Sequence, residues 1–260
     1  MSWWGKVLGG TIGFMLGGPL GAMMGASFGH NFDRGAGGSY QNDSTINVEK
    51  IQSAFFTATF SMAGYMAKAD GKVSRDEIAV IDSVMQQMRL TPQQKTVAIS
   101  LFEKGKQADF PLMEVLQQFR FECHRRRNLL QMFLEIQIAT ALADGKLHSA
   151  ERQVLDTIAQ ALGFSQIEYQ QILQRQQASQ HMHGRPQNTV TALVDAYNLL
   201  GLDKNADDDA IKKSYRRLMN QHHPDKLVSK GLPQEMMDMA TKKTMEIKSA
   251  YDLIKKSREI

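Results

Sequence analysis

The sequence predicts an all-α protein built as an N-terminal transmembrane helix, a central helical bundle with an internal repeat, and a C-terminal helical hairpin. Three observations lead there. Apolar residues recur at three- and four-residue spacing, with no alternating run of any length and only 6 prolines in 260 residues. A helix–turn–helix unit occurs twice in register in the middle of the chain. The run from Val7 to Gly29 carries no charged residue.

Composition narrows the function classes. Lys plus Arg is 31 and Asp plus Glu is 27, so the net charge of +4 is mild. No basic stripe with interleaved aromatics accompanies the sequence pI of about 9.1, so no nucleic-acid partner is expected. Arg125, Arg126 and Arg127 form the one dense basic run and read as a solvated helix face. The single Cys123 excludes an internal disulfide framework and a Cys-rich zinc module.

Residues 1–6 carry Trp3 and Trp4, which suit the edge of a lipid bilayer. Residues 7–30 are predicted to span it: as a helix, the uncharged run of about 23 positions covers ~34 Å against a hydrocarbon core of about 30 Å. Gly9, Gly13, Gly17, Gly21 and Gly25 repeat every fourth residue along one face. Such a row lets a second helix approach closely, so a homodimer through this helix is expected. A flexible apolar tail and a cleaved signal peptide are the competing readings. Pro19 near the middle favours the tail, while only Lys6 before the run and no small-x-small site after it argue against cleavage. Residues 31–48, rich in Gly, Ser and Asn, read as a juxtamembrane linker.

Residues 49–175 read as helix throughout. Ala69-Asp-Gly-Lys-Val73 returns as Ala143-Asp-Gly-Lys-Leu147, and the register then holds from Glu77 onto Glu151 to Leu90 onto Phe164. Two readings of the motif stand side by side. In the first, Gly71 and Gly145 stop a helix in the left-handed conformation. Glu77 and Glu151 then sit in the first turn of the next helix, beside its free N–H groups. In the second, Asp70, Glu77, Asp144 and Glu151 converge as hard-oxygen ligands for a divalent metal. Residues 176–190, Gln-rich with His181 and His183, read as a polar linker.

Residues 191–260 carry the most specific pattern. Ala210, Ile211, Ser214, Tyr215 and Leu218 recur at helical spacing and form one buried stripe. Asn205 or Asp207 is the expected N-cap, and Asp207, Asp208 and Asp209 suit the positive end of the helix dipole. Lys212, Lys213, Arg216 and Arg217 fall off the stripe and leave a cationic face. Met236, Ala240, Met245, Ile247, Ala250, Tyr251 and Ile254 mark a second long helix, antiparallel to the first. Between the two lies His223-Pro224-Asp225. Pro224 cannot continue the first helix and pushes His223 out of the α region. The outcome is a stiff, exposed turn presenting an imidazole and a carboxylate beside a cationic helix, which describes a docking surface. No Ser/Cys–His pairing or phosphate loop occurs in context, so the chain is not expected to be an enzyme.

The Asp195–Leu202 segment, the Ala210–Leu218 helix, His-Pro-Asp and Ile247–Tyr251, in that order, resemble the J domain of Hsp40 co-chaperones. The duplicated Asp-Gly-Lys region resembles the TerB family, helical domains whose acidic residues have been proposed to bind metal. The order of anchor, TerB-like bundle and C-terminal J-domain hairpin resembles the membrane-anchored J-domain co-chaperones of bacteria. Many J proteins carry zinc repeats and a Gly/Phe-rich spacer after an N-terminal J domain, and this chain has neither. The resemblance implies a regulatory co-chaperone that stimulates the ATPase of the Hsp70 DnaK at the inner membrane. It also implies a link to envelope-stress signalling and capsule (colanic acid) synthesis. Lys212, Lys213, Arg216 and Arg217 would then steer the partner, while His223, Pro224, Asp225 and Lys226 engage it. Because DnaK is cytosolic, the N-terminus is expected to be periplasmic and both helical domains cytoplasmic. The alternative is a membrane-anchored, metal- or partner-sensing scaffold in which the TerB-like domain carries the main function.

Overall fold

A computed structural model describes residues 43–69, 90–142, 145–184 and 189–258, together with residues 82, 84–86 and 88. The predicted membrane helix, residues 7–30, lies outside them. Every regular element among the described residues is helical, and none of these helices is long and apolar enough to cross a membrane. The central domain contains α1 (Asp43–Ala67), α2 (Pro92–Gly105), α3 (Leu112–Glu122), α4 (Arg127–Ala141), α5 (Ser149–Ala161) and α6 (Gln166–Gly184). The C-terminal domain contains α7 (Thr189–Leu200), α8 (Asp208–His222), the short α9 (Pro224–Val228), a 3-10 turn (Gln234–Met236) and α10 (Met237–Ser257).

Two helices form the axis of the central domain, and each precedes one copy of the Asp-Gly motif. From Ile51 to Ala67, α1 is buried nearly all round, and α4 is buried without a break from Leu129 to Ile138. A helix as apolar on every side as α1 belongs inside a fold. Its few polar groups must find partners, and the Thr59 and Ser61 hydroxyls donate to the carbonyls of Phe55 (2.8 Å) and Thr57 (2.7 Å). Phe55, Phe119 and Phe133 meet edge-on or tilted, with centroids 4.6 to 6.0 Å apart, joining α1, α3 and α4. Each such pair adds about 0.5–1.5 kcal/mol beyond its buried area. α1 packs most extensively on α2, where Gly64 and Gly105 let the two backbones touch.

Three expectations need correction. The segment 176–190 is not a linker through most of its length: α6 runs unbroken to Gly184. Its polar residues are held there because Gln176 accepts from Lys243 (2.9 Å) and the Ser179 hydroxyl donates to Glu246 (2.6 Å), while Ala178 joins the C-terminal core. Residues 43–48 of the segment read as a linker are likewise helical, since α1 covers Asp43–Ala67. Arg125–Arg127 is a turn rather than a helix face. α3 ends at Glu122, Arg125 takes φ +62°, and α4 begins at Arg127, whose guanidinium lies 4.7 Å from the Phe164 ring and 2.6 Å from Glu168.

Candidate functional site

The site is assembled by the capping and burial of α8. Asp207 is its N-cap, with Oδ1 accepting the Ala210 N–H at 2.7 Å, and Asp208 and Asp209 follow in the first turn. Ile211, Ser214 and Leu218 are buried as the stripe predicts, while Tyr215 is half-buried and stacks on Tyr251 at 4.2 Å. The Ser214 hydroxyl donates to the Leu200 carbonyl at 2.6 Å, tying α8 to α7. With that face fixed, Lys212, Lys213, Arg216 and Arg217 are all exposed, and the Arg217 guanidinium donates back to the Ser214 hydroxyl at 3.3 Å. In α10, Ala240, Ile247, Ala250 and Ile254 are buried, but Met245 is 63% exposed and does not belong to the stripe.

α8 stops at His222. His223 has φ −61° and ψ 122°, the extended backbone that a following proline imposes. The tripeptide is not a free loop, however. Pro224 is the first residue of α9, where its missing N–H costs nothing, and Asp225 sits in the first turn. His223, Asp225 and Lys226 are exposed, and Lys226 donates to Asn220 across the α8–α9 corner. An imidazole and a carboxylate are thus held at one rigid corner beside the cationic face of α8. Such an arrangement can dock on an acidic protein surface; it offers no activated nucleophile.

Of the proposed metal ligands, Asp70, Glu77 and Asp144 lie outside the described residues. Gly145 does take the left-handed backbone (φ +85°) expected of a helix stop. Glu151 is in the first turn of α5, and its Oε2 accepts the His148 N–H at 2.9 Å. That is the helix-start role of the first reading. Among the described residues no three His, Cys, Asp or Glu side chains are placed to hold a metal. Gly9, Gly13, Gly17, Gly21 and Gly25 also lie outside the described residues.

One pair was not singled out from sequence. His222, adjacent to the tripeptide, is buried against Glu135 of α4, with Nε2 3.0 and 2.9 Å from the two carboxylate oxygens and Nδ1 3.0 Å from the Leu218 carbonyl. Burial works to raise the Glu135 pKa. The charge and hydrogen bond of His222, then Lys243 and Gln131, outweigh it and leave the carboxyl below its ordinary range. The signal was present: His222 falls four residues after Leu218 and continues the buried stripe.

Comparisons with known proteins follow the same layout. Residues 1–41 match the family described as "Co-chaperone DjlA transmembrane domain", residues 56–174 "Tellurite resistance protein TerB", and residues 195–259 "DnaJ domain". Proteins named "Co-chaperone protein DjlA" align over the whole length. That of Shewanella oneidensis is 45% identical over 99% of both chains, and that of Coxiella burnetii is 47% identical over 100% of both. That of Aliivibrio fischeri is 44% identical, again over 100% of both. No solved structure matches significantly.

Proposed function

The chain belongs to the DjlA co-chaperone family, and from that membership we propose that it stimulates the ATPase of the Hsp70 DnaK at the inner membrane. In this reading residues 7–30 anchor it, its N-terminus is periplasmic, and both helical domains face the cytosol. Gly9, Gly13, Gly17, Gly21 and Gly25 line the face through which two copies associate in the bilayer. The family's J domain implies an Hsp70 partner and a regulatory rather than catalytic role.

One observation carries the proposal: His223 and Asp225 are exposed at a proline-fixed corner, flanked by four exposed cationic side chains of α8. Lys212, Lys213, Arg216 and Arg217 would raise the encounter rate with an acidic surface of the ATPase domain. The imidazole and carboxylate would then bind the hydrolytically competent state of the partner better than its resting state. Differential affinity of that kind shifts a population, and no bond is made or broken by this chain. The links to envelope-stress signalling and capsule (colanic acid) synthesis belong to the same proposal, as consequences of where the stimulated DnaK works.

The test is ATP turnover by DnaK in the presence of the full chain. His223→Gln removes the imidazole from a solvent-exposed position without touching the core, so stimulation should vanish while the fold persists. A mutant that stimulates as well as the parent would reject the mechanism.

A further inference from the structure

The His-Pro-Asp corner is a bridge between two anchorages, and both lie on the central domain. Upstream, the Asn128 amide donates to the Gln221 carbonyl at 3.3 Å, and Gln221 donates to Gln131. The next residue, His222, meets Glu135. Downstream, Leu227, Leu232 and Met236 are fully buried in the hydrophobic core of the central domain rather than in that of their own. Gly231, at φ +104°, lets the backbone pass Ile51 of α1 where a Cβ would lie 2.6 Å from Cγ2. Gln94 donates to Glu235. The three residues that face solvent are therefore suspended from a neighbour.

The upstream anchor has an unusual form. His222 and Glu135 are 2% and 4% exposed. Both ring nitrogens face acceptors, a carbonyl and a carboxylate, so the contact is complete only when each nitrogen carries a proton. The cationic groups around it are Lys243 from α10, Arg175 from α6 and, next to Arg175, Arg217 of α8, and Lys243 is itself paired with Glu246 of α10 at 3.4 Å. Gln131 of α4 donates to Glu135 at 2.7 Å, and Gln176 of α6 donates to its backbone carbonyl at 3.4 Å. Burying an ion pair adds little to stability compared with apolar residues of the same volume; its best-attested use is to enforce one register. Here the register enforced is that of the residue preceding His223.

We infer that Glu135 is a positioning residue for the partner-engaging corner, acting through His222, so that the central domain completes the J domain's docking site. The inference rests on the reading that this corner engages an Hsp70. A corner that samples its competent geometry only part of the time binds with an apparent affinity reduced by that fraction. Loss of the pair should therefore raise the concentration needed for half-maximal stimulation and leave the maximum unchanged.

The experiment titrates DnaK ATPase with the full chain in lipid vesicles. E135Q should raise the half-stimulating concentration roughly tenfold, with the maximum preserved. H222Q should do the same, and the double variant should be no worse than either single one, because both remove one contact. E135Q within twofold of wild type, with H223Q inactive, overturns the positioning role and leaves the docking reading standing. Stimulation by H223Q overturns the docking reading instead. Should E135Q fail to fold, H222Q is read in its place, and a half-stimulating concentration within twofold of wild type overturns the inference.

Discussion

Gly64→Ala separates a local from a tertiary account of the central domain. By helix propensity alone, replacing glycine inside a helix by alanine gains about 1 kcal/mol. The structure reverses the sign. A Cβ at Gly64 of α1 would lie 2.0 Å from the Phe102 carbonyl oxygen of α2. That is about 1.4 Å inside ordinary contact, and the obstacle is backbone, which cannot rotate away as a side chain can. α1 and α2 must move apart by about that amount, and a gap of even 0.5–1 Å forfeits a quarter to a half of each dispersion contact it opens. Overpacking of this kind costs typically 1–3 kcal/mol and occasionally more, so the net loss is about 2 kcal/mol after the propensity gain. Thermal unfolding of the full chain, followed by helical circular dichroism, should show a fall of roughly 4–8 °C for a protein of this size. Gly105→Ala meets the Ser61 carbonyl oxygen at 1.9 Å on the other side of the same crossing. One separation relieves both clashes, so the double mutant should lose less than the two single losses combined. An unchanged or raised melting temperature in Gly64→Ala would refute the crossing.

Two further outcomes follow from buried titratable groups. Burial pushes the Cys123 thiol far above its ordinary pKa, more than the neighbouring Arg126 lowers it, so the native chain should resist thiol-specific labelling near pH 8 and react once denatured; rapid labelling of the native form would contradict that burial. Glu135 is held below its ordinary carboxylate value, and a carboxyl depressed by folding contributes stability that is present above about 4.5 and is lost as pH falls from there toward about 2. The melting temperature of the wild type should therefore drop more steeply than that of Glu135→Gln across that window, and parallel curves would argue against the ion pair.

Most of the C-terminal domain was legible because its signals are local. The Asp207 cap, the Ile211–Ser214–Leu218 stripe and the break imposed by Pro224 each need only a few neighbouring residues to act. Gly64 and Gly105 carried no such mark, because their role exists only where two distant segments cross. The Gln-rich stretch after Arg175 read as a linker for a related reason. Its polar side chains look solvated until α10 supplies Lys243 and Glu246 as partners.

His222 and His223 show the limit most sharply. They are adjacent and chemically identical, yet one is buried on the stripe of α8 and the other is exposed at its end. On α4, Asn128, Gln131 and Glu135 recur at helical spacing as a polar face would, and nothing in that spacing separates a face turned to water from one turned to another domain. The assignment of Leu227, Leu232 and Met236 to the central core carries the same lesson further. The segment that joins the two arms of the hairpin takes its shape from the helices of its neighbour. The J domain is continuous in sequence, but the physical unit that holds its His-Pro-Asp corner includes α1 and α4.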